Sequence, residues 1–127
     1  MTNDMTANRG NILVVDDEKR QRDILKTILE GEGYSVEAAG SGKEALRILQ
    51  KIPFECILTD LKMHGIDGVD LMNEVRRDFP WMSVVIMTAH GTITSAVGAM
   101  KSGAFDYLTK PLDRDEIIIV AKNAVDK

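Results

Sequence analysis

Short apolar runs alternate with segments of helical period along the whole chain. Ile12, Leu13, Val14 and Val15 form the first run, and an unbroken apolar run bounded by polar residues suits a strand covered on both faces. Ile24, Leu25, Ile28 and Leu29 follow at helical spacing, and Gly31 with Gly33 is expected to end that helix. Residues 34–39 read as a short second strand. Ser41 with Glu44 three positions later forms a capping-box pair, opening a helix whose inner face is Ala45, Leu46, Ile48 and Leu49 and which Pro53 closes. A third strand over 56–59 ends at Asp60. After a loop carrying Gly65 and Gly68, a third helix is marked by Leu71, Met72, Val75 and Phe79 before Pro80. Residues 84–87 read as a fourth strand, followed by a fourth helix on Ile93, Ala96, Val97 and Met100 that Gly98 weakens. A fifth strand over 105–109 precedes a last helix with Asp113 and Glu116 at its cap and Ile117, Val120, Ala121 and Ala124 inside. Five βα units without a linker or repeat predict an α/β domain on a parallel sheet.

The polar residues at the ends of these strands change the reading from fold to chemistry. Asp16 and Asp17 follow the first strand, Asp60 the third, Thr88 the fourth, and Lys110 the fifth. Parallel α/β sheets bind ligands outside the carboxyl ends of their strands, so these groups are expected to share one crevice. Three carboxylates there repel one another unless a cation offsets them, and an oxygen-only ligand set suits Mg²⁺. Asp60 is the candidate nucleophile, since carboxylates can form aspartyl phosphates, and Lys110 would offset charge on phosphoryl oxygens. Alone, Lys110 reads as a solvated surface lysine; followed by Pro111 at a strand end, it reads as a placed one, and a cis Lys110–Pro111 bond is expected. Thr88 could donate its hydroxyl to a phosphoryl oxygen, with the small Ala89 beside it leaving Asp60 accessible. Tyr107, one strand over, pairs with Thr88 as a candidate position switch.

Composition limits what the site can serve. A chain of 127 residues, 44% hydrophobic, fits one domain with an adequate core. A net charge of -4 argues against direct nucleic-acid contact. Cys56 is the single cysteine, inside an apolar run, and reads as a small buried hydrophobe. Residues 1–10 lack an apolar signal core and are expected to form a flexible leader to a domain over 11–127. No apolar run approaches membrane-spanning length, so a cytoplasmic protein without membrane contact is expected.

Four ordered motifs carry a family resemblance across residues 11–125: Val14-Val15-Asp16-Asp17-Glu18, Leu58-Thr59-Asp60-Leu61-Lys62-Met63, Met87-Thr88-Ala89 and Tyr107-Leu108-Thr109-Lys110-Pro111. Together they resemble the receiver (CheY-like) domain of two-component response regulators. The resemblance implies a flavodoxin-like (βα)5 three-layer sandwich with a five-stranded parallel sheet of order 2-1-3-4-5, an arrangement for which this receiver type is itself a standing example. It implies that Asp60 accepts phosphate from a sensor histidine kinase, making the chain a phosphoacceptor regulatory domain and not an enzyme acting on other substrates. Mg²⁺ would be held by Asp17, Asp60 and the backbone carbonyl of Lys62, with Asp16 acting through water, and Lys110 and Thr88 would touch the phosphoryl group. Residues 87–92 and 99–107 further resemble the receivers of NtrC-type transcriptional activators, whose AAA+ and DNA-binding output domains have no counterpart within these 127 residues. Where many members carry proline after Met63, this chain has His64 and Gly65. Phosphorylation would draw Thr88 toward Asp60 and let Tyr107 turn inward, altering the surface of the fourth helix, fifth strand and fifth helix. Lys62 and His90 are candidates for tuning the aspartyl-phosphate lifetime by controlling the approach of water. Ile119, opposite the inner face of the last helix, is expected at a homodimer or domain interface, with Ile93.

Two other classes fit less of the chain. A haloacid-dehalogenase-like phosphatase also uses an aspartate, Mg²⁺ and a lysine, but its nucleophile sits in a first-strand Asp-x-Asp motif where this chain has Asp16-Asp17. A nucleotide-binding module would place a glycine-rich loop after the first strand, where Asp16-Asp17-Glu18 stands.

Overall fold

The computed structural model describes residues 8–89 and 93–127, with the backbone alone for Ile93 and Ser95. Five parallel strands alternate with five helices: β1 (Asn11–Val15), α1 (Lys19–Gly31), β2 (Ser35–Ala39), α2 (Gly42–Leu49), β3 (Cys56–Asp60), α3 (Gly68–Asp78), β4 (Ser83–Thr88), α4 (Ile93–Lys101), β5 (Asp106–Thr109) and α5 (Arg114–Asp126). The sheet order is β2-β1-β3-β4-β5, the flavodoxin-like order expected. Chain travel reverses between β1 and β3, which lie side by side with Ile12 opposite Cys56 and Val15 opposite Thr59. Their carboxyl ends therefore flank the switch point of the sheet, where an open α/β fold leaves a crevice.

Strand alternation divides the core into two layers. Ile12, Val14, Leu58, Val85 and Met87 face one side, against Leu25 and Leu29 of α1 and Ile117, Val120, Ala121 and Ala124 of α5. Leu13, Val15, Ile57, Val84 and Ile86 face the other, against Ala45 and Leu49 of α2, Leu71, Met72 and Val75 of α3, and Ala99 of α4. Central strands buried on both faces explain why their sequences are continuous apolar runs. Cys56 is buried in the first layer, and burial pushes its thiol pKa well up, as befits an inert packing residue.

Several local expectations are refined by the structure. Helix α1 runs through Gly31, and it is Gly33 that turns back with a positive φ of 99°, which a residue without a Cβ adopts readily. Ser41 Oγ accepts from Glu44 N at 3.1 Å, but the returning Glu44 carboxylate takes the amide of Gly40 at 2.6 Å, one residue earlier than a capping box requires. Among the described side chains of α4, Ala96 and Ala99 are buried, while Val97 and Met100 are exposed. Arg9 and Gly10, placed by the sequence in the loose leader, are held at the edge of the fold. Arg9 N donates to Gly33 O at 2.8 Å, Ser35 N donates to Gly10 O at 2.9 Å, and the Arg9 guanidinium stacks 4.9 Å from the centre of the Tyr34 ring. Residues 1–7 lie outside the described residues. Among the described residues no helix is long and apolar enough to cross a membrane.

Candidate acidic site at the sheet switch point

The carboxyl ends of β1 and β3 bring Asp16, Asp17 and Asp60 together, with one carboxylate oxygen from each lying within 4.8 Å of the others. Asp16 is fully buried, Asp60 is 8% exposed, and Asp17 is open to solvent. Lys110, carried in by β5, places Nζ 3.3 Å from Asp60 Oδ2 and 3.4 Å from Asp16 Oδ2. The Lys110–Pro111 bond is cis, as the sequence leads one to expect.

Electrostatics follow from this crowding. Burial pushes the Asp60 carboxyl pKa up; Lys110 pulls it back, Asp16 and Asp17 push it further, and the net direction is up. Burial acts on the Lys110 ammonium in the opposite sense, lowering its pKa, but the Asp60 and Asp16 carboxylates outweigh it and hold the group above the ordinary lysine value. One ammonium thus faces three carboxylates, leaving an excess of negative charge open to solvent on the Asp17 side. That deficit, with oxygen donors only, fits a hard divalent cation such as Mg²⁺.

The backbone beneath the carboxylates is tied at every turn. Asp16 N donates to Ala39 O at 3.1 Å, and Asp16 Oδ1 accepts from Glu18 N at 2.9 Å. Leu61 N donates to Met87 O at 2.9 Å, and Gly68 N donates to Leu61 O at 2.8 Å, so the loop after Asp60 is stitched to β4 on one side and to α3 on the other. This loop keeps its anchors despite His64 and Gly65. Asp17, Lys62, Met63 and His64 line a recess of about 240 Å³, so the Lys62 segment lies beside Asp17.

Thr88 sits at the end of β4, one residue past Met87, the register partner of Asp60, and is buried. Tyr107 lies on neighbouring β5, opposite Ile86, with its side chain 41% exposed. Both halves of the expected switch are therefore at the same edge, with the tyrosine outward. Ile119 is 59% exposed on the outer face of α5, away from the buried Ile117, Val120, Ala121 and Ala124. His90 lies outside the described residues, as does the side chain of Ile93.

Two contributors escape sequence reading. Asp67 caps α3 by accepting from Asp70 N at 2.9 Å; an aspartate before a helical run signals this, but the glycines around it read as plain loop. Gly68 begins α3 directly against the backbone of Asp60, so closely that an added Cβ would strike Asp60 O and come within 2.9 Å of Leu61 Cα. No sequence period reports such an approach. Gly68→Ala is expected to destabilise the domain by about 1–3 kcal/mol through overpacking against an immobile backbone, measured by urea unfolding.

Comparison with known proteins fits this geometry. The family model for the response regulator receiver domain matches residues 12–122. The transcriptional regulatory protein GlrR of Escherichia coli K12 is 38% identical over 123 residues, 97% of this chain but 28% of its own length. ZraR of the same organism is 40% identical over 121 residues, covering 95% of this chain and 27% of its own. The chain therefore spans little more than a quarter of these relatives. The crystal structure of the receiver domain of NtrX from Brucella abortus superposes with a TM-score of 0.88 at 35% identity, covering 91% of this chain and 98% of that one.

Proposed function

The chain belongs to the response regulator receiver family, and from that premise we propose that Asp60 is the phosphoacceptor of a two-component pathway, charged by a sensor histidine kinase in a Mg²⁺-dependent step. The observation that carries the reading is the pairing of Asp60 with both a three-carboxylate cluster and the Lys110 ammonium 3.3 Å away. A carboxylate oxygen of Asp60 attacks phosphorus, the bond from phosphorus to the donor imidazole nitrogen breaks, and that nitrogen leaves with the electron pair. Lys110 faces the oxygens on which charge accumulates. Thr88 offers its hydroxyl to the same group from the end of β4. Asp17, Asp60 and the Lys62 carbonyl would hold Mg²⁺, with Asp16 behind them; when bound, the ion supplies the positive charge that lets an acidic cluster meet an anionic phosphoryl group. Intact mass after incubation with Mg²⁺ and acetyl phosphate is expected to show a single phosphoryl adduct in the wild type and none in Asp60→Asn. An equal adduct in Asp60→Asn overturns the assignment.

Phosphorylation then acts on the α4-β5-α5 surface. Movement of Thr88 toward the phosphoryl oxygens opens space into which the outward Tyr107 turns. Val97 and Met100 of α4 are exposed apolar residues next to this path, which supports a partner surface there. Ile119, with Ile93, would contribute to a homodimer contact on the same side, and Ile119→Asp is expected to weaken the dimerisation constant at least about 10-fold, by placing a charge in an apolar contact. Sedimentation equilibrium with an unchanged constant removes Ile119 from the interface. Lys62 and His90 would set the lifetime of the phosphoryl group, and unchanged hydrolysis after Lys62→Ala and His90→Ala removes that role. GlrR and ZraR are transcriptional regulatory proteins, which supports an output on transcription; AAA+ and DNA-binding domains of a longer cytoplasmic protein would carry it.

A further inference from the structure

The described residues hold one buried-side contact to the acidic site that the phosphoacceptor chemistry does not use. Arg22, in the second turn of α1, reaches back past the start of its own helix and donates from Nη1 to the backbone carbonyl oxygen of Asp16 at 2.7 Å. It is half-buried, and its donor goes to the peptide, not to a carboxylate. We propose that Arg22 is a positioning residue for the metal-binding cluster: by holding Asp16 O it fixes the Asp16–Asp17 peptide plane and so the aim of the Asp17 carboxylate.

The argument is one of planarity and count. A peptide group is rigid, so fixing its carbonyl oxygen also fixes the direction of the following N–H and the place of the following Cα. The oxygen held is that of Asp16, and the Cα placed is that of Asp17. Asp17 needs this more than its neighbours do. Asp60 is the last residue of a strand buried on both faces, and Asp16 is buried with its side chain held by Glu18 N and Lys110 Nζ. Asp17 is exposed at the first residue past those anchors, in a turn also tied by Asp16 N to Ala39 O at 3.1 Å, by Glu18 N to Asp16 Oδ1 at 2.9 Å and by the α1 bond from Arg22 N to Glu18 O at 3.1 Å. Arg22 thus spans the turn with both its ends, backbone to Glu18 and side chain to Asp16.

The surroundings are shaped for this reach. Gly40, after β2, leaves a gap that the guanidinium fills: a Cβ there would stand 3.2 Å from Arg22 Nη1 and 3.6 Å from Glu44 Oε1. The Glu44 carboxylate holds the amide of that same glycine at 2.6 Å. Gly40, held by Glu44 of α2, therefore packs against the arginine at the same Nη1 that reaches Asp16 O.

The inference rests on the Mg²⁺-dependent phosphoacceptor reading, and the test separates the two. Mg²⁺ binding is measured by calorimetric titration with magnesium chloride for the wild type, Arg22→Met, Arg22→Lys, and Ile28→Ala as a stability control that lowers packing in α1 away from Asp16. Arg22→Met is expected to raise the Mg²⁺ dissociation constant about 10-fold, the low end for loss of a group that orients a metal ligand. Arg22→Lys, which keeps a cationic donor on a long stem, is expected to recover most of that loss, and Ile28→Ala to leave the constant at the wild-type value despite a lower melting temperature. In the metal-free protein the Asp17 amide resonance is expected to move in Arg22→Met, since its N–H shares the peptide whose oxygen lost a donor. Wild-type affinity in Arg22→Met, equal weakening in Ile28→Ala, or no recovery in Arg22→Lys each overturns the inference and leaves the phosphoacceptor reading standing. A wild type that binds no Mg²⁺ overturns that reading, and the positioning role falls with it.

Discussion

Lys110→Ala is expected to slow phosphorylation of Asp60 from acetyl phosphate by about 10²–10³-fold at saturating Mg²⁺, the range for removing one donor aimed at developing oxyanion charge. The ammonium stands 3.3 Å from Asp60 Oδ2 and is the one cation the described structure brings to the carboxylates. Arginine would not replace it well, because a planar fork does not occupy the place of a compact point charge between two carboxylates. The same substitution tests the electrostatics of the resting site. Because the folded pKa of Lys110 is raised, its ion pairs stabilise the fold fully below the ordinary lysine pKa, about 10.4. That contribution is lost as pH rises through the folded value. The stability gap between wild type and Lys110→Ala is therefore expected to stay level from neutral pH into the mildly alkaline range and to close only above it. Urea midpoints across pH measure this; a gap that closes near neutrality contradicts the ion-pair assignment.

Asp60→Asn is expected to be more stable than wild type in chelator and less stable than wild type in Mg²⁺. The folded-state pKa of Asp60 is raised, first by burial and then, against the pull of Lys110, by Asp16 and Asp17. A carboxyl whose folded pKa is raised favours its neutral form, so its contribution to stability is present at low pH and lost as pH rises through that value. At pH above that value the ionised Asp60 is a destabilising charge, and the neutral asparagine relieves it. In chelator, at such pH, Asp60→Asn is expected to melt at a higher temperature than wild type. The advantage should fade as pH falls toward the ordinary carboxylate range. With Mg²⁺ at about 100 times its dissociation constant, the wild type gains about 2.7 kcal/mol by mass action, while the variant, short of one ligand, gains less. The two melting curves should then exchange places. Melting temperatures that keep the same order with and without Mg²⁺ contradict a metal site that includes Asp60.

Much of this was legible from residue order because the relevant signals are local. A strand buried on both faces must be apolar throughout, so 12–15, 56–59 and 84–87 announced themselves. The residue after each such run must stand at the crevice, which located Asp16, Asp60 and Thr88. Outer and inner faces of α5 followed from helical period alone, and Ile119 is exposed as that period requires. The same arithmetic served less well in α4, where the small Ala96 and Ala99 pack inside and the larger Val97 and Met100 stay out. Close approach of the helix to the sheet favours small residues, and hydrophobicity does not register that preference. What sequence could not convey were contacts between chemically ordinary residues far apart in the chain. Gly68 is legible as a loop glycine but not as the point where α3 meets the backbone of Asp60. Arg22 looks like any exposed helical arginine until its reach to Asp16 O is seen. Arg9 shows the same limit, since its hold on Gly33 and the Tyr34 ring depends on where β2 begins.

The central claim is that phosphate is carried by the Asp60 side chain and by no other. Acyl phosphates are reduced by borohydride to the corresponding alcohol, whereas phosphate esters of serine and threonine survive. The protein phosphorylated with acetyl phosphate and Mg²⁺ should, after borohydride reduction and peptide mapping, contain homoserine at position 60 alone, and none when Mg²⁺ is chelated beforehand. Reduction at Asp16 or Asp17, or an adduct on a hydroxyl side chain that borohydride leaves intact, would contradict the account.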